Sequence, residues 1–360
     1  MTGSLTRLFL GIWTDQYGGR IVLTILMIVA SISTWMITYA STYHQFVFSA
    51  LGMGISGGSF AVGIAYVSRW YDKTKQGTVL GVFGMGNFGA AITNFGAPFL
   101  LFLGWHGVAK VYSITLFCVA ILYFLITKTD PMLIYRKKNN LKFESAVTQL
   151  FPLKNIQVWR FSLYYFFVFG AFVALALWLP RYYIGVYGLD IKTAGMLTAM
   201  YSMPGSLFRA LGGVLSDIYG ARKVMYLTFI ASICCLFFMS YPSTNYIVQG
   251  VSGDISFSLR ITLVPFVILT VILGFFMSLG KAAVYKHVPV YYPKNVGSVG
   301  GIVGLIGGLG GFCLPILFGI MNDYIGIWTS CFMLLFFITF VSFVWMHFSI
   351  VSLEKIKSSL

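Results

Sequence analysis

Acidic residues are scarce in this chain. Asp and Glu total nine in 360 residues, against 24 Lys and Arg. Charged side chains make up only 9% of the sequence, where a soluble domain carries about 25%. So few charges cannot cover a water-exposed surface, which excludes an ordinary soluble protein. Cysteine is also sparse. Cys118, Cys234, Cys235, Cys313 and Cys331 are scattered through apolar stretches, with no Cys-x-x-Cys or His–Cys spacing. Neither a disulfide framework nor a metal site is expected, and these thiols read as packing residues. No cleavable signal-peptide pattern opens the sequence. No nucleophile–base pair appears, so neither an enzyme nor a cofactor is expected.

What is present is apolar. Hydrophobic residues are 58% of the chain and the mean hydropathy is +0.86, the composition of a polytopic membrane protein. The net charge of +15 invites a nucleic-acid partner, but its distribution argues for membrane orientation and a lipid environment instead. Runs long enough to cross a bilayer, about 20 residues each, are predicted at 21–40, 45–70, 78–103, 109–126, 159–186, 191–215, 224–240, 261–285, 297–320 and 327–350. A partial run at 1–13 makes eleven spans. Residues 128–156 form the long polar connection between two bundles, 1–127 and 157–360. Sorting the basic residues by loop puts 17 on one side, four on the other and three deep within spans: Arg7, Arg209 and Lys281. The side with 17 is expected to be cytoplasmic, and the C-terminus with it.

An internal repeat organises the chain. TGSLTRLFLGIWTDQYGGR at the start returns as PGSLFRALGGVLSDIYGARK, with Arg7, Gly11, Asp15, Gly18 and Arg20 matching Arg209, Gly213, Asp217, Gly220 and Arg222 at an offset of 202. Past a polar stretch at 241–259 the offset grows, so that Gly77, Gly81 and Gly84 match Gly297, Gly301 and Gly304 at 220. Repeats on this scale build secondary transporters, with the site at the interface of the halves. By the first offset, the counterpart of residue 191 falls before residue 1, and the run at 159–186 has no mate. One helix and part of another are therefore expected to be missing from an architecture of six plus six.

Each repeat carries one deep cation. A charge at mid-bilayer costs about 2.5–3.5 kcal/mol on insertion scales and persists where it has a partner or faces a watery cavity. All nine acids sit at loops or span ends. Snorkelling from eight residues inside the Asp end would need about 12 Å, beyond the reach of an arginine. Two guanidiniums without an acid between them call for a mobile anion, and the planar fork suits an oxyanion. GVFGMGNFGAAITNFGAP at 81–98 and GSVGGIVGLIGGLGGFCLP at 297–315 add glycines at spacings of three and four, including Gly84, Gly304 and Gly307, that let helix backbones touch. Asn87 is an amide on the first of these faces, able to donate to an anion.

The paired glycine runs, with an arginine in each half, resemble the duplicated signature of the nitrate/nitrite (NarK-type) porters, a branch of the major facilitator superfamily. The Gly11–Arg20 run and its copy at Gly213–Arg222 resemble the loop motif of the whole superfamily. The resemblance covers nearly the whole chain. It implies an all-α fold of two pseudo-symmetric bundles in the bacterial inner membrane. It also implies nitrate or nitrite held between Arg7 and Arg209, with Asn87 as the signature asparagine and Tyr165, Phe169 and Phe60 as aromatic residues near the substrate. The family's first helix has no counterpart here, and on that ground poor transport by residues 1–360 alone is expected. Asp15, Arg20, Asp217 and Arg222 are implied to form a latch between the halves, each carboxylate either capping a helix N-terminus or pairing with its arginine. Lys281 is either a snorkelling lysine or a third cation by the cavity. Either the anions exchange, or they enter in symport with a proton carried by Lys281 or by the substrate. A porter for another small anion, and a non-transporting or inactive truncated member, stand as alternatives.

Overall fold

The computed structural model describes residues 2–89, 100–139 and 151–358. The end of the first glycine run, through Pro98, lies outside these residues, as does Lys142 of the connecting loop.

The chain is almost entirely helical. The helices of the first part are α1 (Thr2–Tyr17), α2 (Gly19–Met36), α3 (Tyr43–Gly54), α4 (Ser59–Ser68), α5 (Gln76–Gly84), α6 (Gly104–Ile126) and the short α7 (Pro131–Lys138). The second part holds α8 (Ile156–Tyr165), α9 (Phe172–Tyr187), α10 (Ile191–Ser202), α11 (Pro204–Leu207), α12 (Arg209–Leu215), α13 (Ala221–Ser240), α14 (Leu263–Tyr291), α15 (Val296–Ile325) and α16 (Ser330–Ser358). Among the described residues, eight helical runs are long and apolar enough to cross a membrane. One of them, Ile191–Ser240, has 50 residues, about 75 Å at 1.5 Å per residue, which is too long for a single crossing. It turns at Gly220, where φ is 89°. Gly18 makes the matching corner between α1 and α2 with φ 88°, a conformation that only glycine adopts freely. The runs expected at 1–13 and 78–103 are outside the eight: α1 has 16 residues, and α5 leads toward residues beyond those described.

Burial separates inner from outer helices. Only 11% of the most apolar window of Gly104–Ile126 is covered by protein, against 67% for Ile156–Tyr187. The first presents Phe117, Leu122 and Leu125 to lipid, while the second is central. The protein is thus an integral membrane protein whose apolar exterior is its solvent-facing surface, with lipid as the solvent.

The 241–259 stretch departs from the all-helical expectation. Thr244–Gly250 and Gly253–Leu259 form an antiparallel hairpin, with Tyr246 opposite Phe257 and their rings stacked at 5.3 Å. Alternation of apolar and polar residues in DISFSL, followed across a turn at Gly253 with φ 131°, is the local reason. Both strands are mostly exposed.

The two repeats cross over. α1, from the first half, lies along α15 in the second; α12, from the second half, lies along α5 in the first. Glycines make both seams. A Cβ on Gly11 would overlap the Gly297 carbonyl, and one on Gly213 would overlap the Gly77 carbonyl. Gly301 faces the Arg7 carbonyl, and Gly81 the Arg209 carbonyl, each leaving 2.7 Å for an added Cβ. The same contacts recur in mirrored order, so the sequence repeat is also a packing repeat.

Candidate functional site

The seams carry the two deep arginines inward. Arg7 is 8% exposed and Arg209 1% exposed. Arg7 donates from Nε to the Gly57 carbonyl at 3.0 Å and from Nη1 to the Gly304 carbonyl at 2.5 Å. Gly57 lies in a single 3-10 turn, Ile55–Gly58, between α3 and α4, which turns its carbonyl toward the arginine. Arg7 also lies 5.2 Å from the centre of the Phe169 ring.

Arg209 is held differently. α10 ends at Ser202, Pro204 begins a four-residue turn, and the helix restarts at Arg209 itself. Its guanidinium lies 4.4 Å above the Phe60 ring, and Nη2 is 3.4 Å from the Tyr165 hydroxyl. Nε and Nη1 are buried and have no hydrogen-bond partner among the described residues. A ring face contributes about 0.5–2 kcal/mol to a buried cation. That holds the group in place without neutralising it.

Four aromatic rings join the arginines. Tyr165 stacks on Phe169 at 5.0 Å, meets Tyr285 edge-on at 4.6 Å, and Tyr285 meets Phe60 edge-on at 5.0 Å. Tyr165 immediately precedes, and Phe169 lies within, a π-helical turn, Phe166–Ala171, a widening that commonly marks a functional position. Gly84 leaves the space that the Arg209 side chain fills, Gly304 does so beside Arg7 and Tyr285, and Gly307 accommodates the Tyr165 ring. The structure therefore brings Arg7, Arg209, Phe60, Tyr165, Phe169, Gly84, Gly304 and Gly307 together. Asn87 is not brought in: it is exposed in the turn Met85–Phe88, with no side-chain hydrogen bond among the described residues. Tyr285 was missed by sequence reasoning. Its one signal is its place four residues after Lys281, on the same helix face.

A cavity of about 610 Å³ reaches Arg7 and Phe169. Its lining residues on α1 are Thr2, Gly3, Ser4 and Arg7, and on α15 Gly308, Gly311 and Phe312. All lie at Arg7 or beyond it, away from Asp15.

Lys281 is 1% exposed, so it does not snorkel. Its ammonium donates to the Gly205 carbonyl at 3.0 Å and lies 3.0 Å from the Phe172 ring centre. In an unbroken helix that carbonyl would serve the Arg209 N–H. Lys281 thus occupies the acceptor at the break that precedes Arg209.

At the other end sit two carboxylate clasps. Asp15 accepts from the backbone N–H groups of Gly297 (3.2 Å) and Ser298 (3.1 Å), the first turn of α15 in the opposite half. Asp217 accepts from Gly77 N (2.9 Å), Thr78 N (2.6 Å) and the Thr78 hydroxyl (2.6 Å), the first turn of α5. Each side chain satisfies otherwise orphaned amides at a helix N-terminus. The expected pairing with Arg20 and Arg222 is not what forms among the described residues. Arg20 turns to the Phe124 carbonyl and ring, and Arg222 to the Tyr291 hydroxyl at 2.8 Å. The ionic partners are Arg69, which bridges Asp15 and Asp130, and Lys286, 2.5 Å from Asp217. Arg69 and Asp130 lie in separate loops whose meeting no local spacing announces.

Apolar helices around buried cations, bound across a repeat interface by glycine seams, define a membrane transporter rather than an enzyme. The Major Facilitator Superfamily model matches residues 1–259 and 187–359. A probable nitrate/nitrite antiporter, NarK1, of Thermus thermophilus is 40% identical over 98% of this chain and 82% of its own. The nitrite extrusion protein of Bacillus subtilis is 30% identical, over 99% of this chain and 84% of its own. Among solved structures, a variant of the E. coli fucose:proton symporter FucP superposes with a TM-score of 0.72 at 16% identity, covering 95% of this chain and 87% of that one. The human organic anion transporter MFSD10 gives 0.72 at 14%, covering 96% and 82%. These structures speak to the fold alone. The chain belongs to the NarK-type nitrate/nitrite porter branch of the major facilitator superfamily.

Proposed function

We propose that this protein carries nitrate and nitrite across the bacterial cytoplasmic membrane by alternating access, with the anion held by Arg7 and Arg209. One observation carries the reading: two of the three guanidinium nitrogens of Arg209 are buried without a partner among the described residues. Buried charged donors left unpaired are costly, and a planar oxyanion with three acceptor atoms supplies what they lack. At an effective dielectric near 20, one such charge pair at 4 Å is worth about 4 kcal/mol. That offsets anion desolvation while still permitting release. The relatives' names supply the substrate class.

The halves 1–127 and 157–360 rock about this point, with 128–156 as the cytoplasmic connection. Clasps closed at one end and a cavity open at the other match one of the two states the cycle requires. The basic-residue count places the clasp end, and the C-terminus, in the cytoplasm. Exchange of the two anions needs no proton; where a proton is coupled, Lys281 is the group that carries it. Either of its protonation states can donate to Gly205.

Reconstituted protein tests this directly. Nitrate uptake should compete with nitrite more strongly than with formate, and Arg209→Lys should weaken nitrate affinity about tenfold or more, because the fork is lost. Wild-type affinity in Arg209→Lys would refute the assignment.

A further inference from the structure

A second basic site lies outside the transport pathway, at the Lys/Arg-rich end of the second half. A cavity of about 410 Å³ is lined by Arg222, Lys223, Tyr226, Lys286, His287 and Tyr291, among others. A smaller space shares Arg222, His287 and Tyr291 with it and adds Arg160. Among the described residues, no Asp or Glu lines either. Lys286 is neutralised by Asp217, but Arg160, Arg222 and Lys223 have no acid among the described ion pairs. The Nε of Arg160 is buried without a hydrogen-bond partner among the described residues.

The floor of the cavity is the start of α13, a helix of 20 residues whose N-cap, Gly220, supplies no side-chain cap. Its first-turn amides and dipole favour an anion. The repeat shows what is special here. Arg20, the mate of Arg222, gives Nε and Nη2 to the Phe124 carbonyl and lies 4.3 Å from the Phe124 ring centre. The first arginine is consumed by its own half. The second makes one bond, to the Tyr291 hydroxyl, at the wall of the cavity. Tyr219, Val290 and Ile350 give the same cavity an apolar rim.

We propose that this cavity binds a phosphate group, supplied by the headgroup of an anionic phospholipid whose acyl chains lie on the apolar rim. Guanidinium forks and helix N-termini are phosphate ligands, and basic pockets between membrane helices on the cytoplasmic side suit lipid headgroups.

The test is lipid retention by the purified full chain, read by native mass spectrometry and by melting temperature after delipidation. The probes are dioleoyl-phosphatidylglycerol, dioleoyl-phosphatidylcholine and inorganic phosphate. Phosphatidylglycerol should be retained one per chain and raise the melting temperature, phosphatidylcholine should not, and inorganic phosphate should compete. Arg222→Gln and Arg160→Gln should each weaken retention about tenfold, while Arg20→Gln leaves it unchanged. Stabilisation by inorganic phosphate with no preference between the lipids would overturn the lipid source. Equal retention of both lipids with no phosphate effect, or an equal loss in Arg20→Gln, would overturn the site. Nitrate uptake enters none of these readouts, so the outcome is independent of the transport proposal.

Discussion

A Cβ on Gly84 would collide with Nε of Arg209 and lie 2.5 Å from its Cδ, so this glycine in one half sets where the arginine of the other half can be. Gly84→Ala should displace the guanidinium from the Phe60 face and lower nitrate affinity about tenfold or more, with little change in melting temperature. Gly304→Ala meets the Tyr285 hydroxyl at 2.8 Å and Arg7 Cδ at 3.1 Å, a milder crowding, and should have the smaller effect. Concentration dependence of nitrate uptake measures both. Equal, small effects would show that the arginine tolerates movement.

The clasps are also open to test. Asp217→Ala strands Lys286 and the first-turn amides of α5. Each charge-assisted bond lost is worth about 1.5–3 kcal/mol, so a fall in melting temperature is expected. Asp15→Ala should act likewise, and less severely where Arg69 keeps Asp130. Thermal unfolding in one detergent compares them. Unchanged melting in both would assign the clasps no part in holding this state.

Lys281→Met removes a donor from the Gly205 carbonyl and a cation from the Phe172 ring. We expect two changes: weaker nitrate binding, about tenfold, as the break before Arg209 relaxes, and a flatter pH dependence of uptake. They are separable. If the pH profile keeps its shape, the lysine does not carry a proton; if affinity is unchanged, it does not position Arg209.

Replacing residues 244–259 by a short Gly-Ser loop should be tolerated. The hairpin is exposed along nearly its whole length and its register is internal. Loops of this kind accept length changes. Uptake within about twofold of wild type is expected; a large loss would give the hairpin a function in the cycle.

The repeat made much of this readable in advance. A period of 202 that returned arginine, glycine and aspartate together located both deep cations, and the shift to 220 located the glycines that face them. What it could not show is whatever needs a third partner. Asp15 reads locally as a neighbour of Arg20, five residues on; its actual cation, Arg69, arrives from a distant loop. Tyr285 looked like one of 22 tyrosines until its helix was placed between the arginines. The hairpin at 244–259 was hidden for another reason: its composition is polar, and strand pairing depends on register rather than content.

The glycine seams have a mechanical meaning. Along α1 against α15, and α12 against α5, backbone meets backbone at Gly11–Gly297 and Gly213–Gly77, while Arg7 and Asp15 on one seam and Arg209 and Asp217 on the other pack against facing glycines. The backbone contacts can swivel or glide with no rotamer having to change there. The friction of the machine is then concentrated at its two carboxylate fastenings. Because each seam carries one of the two deep arginines, any swivel must turn the two guanidiniums relative to each other.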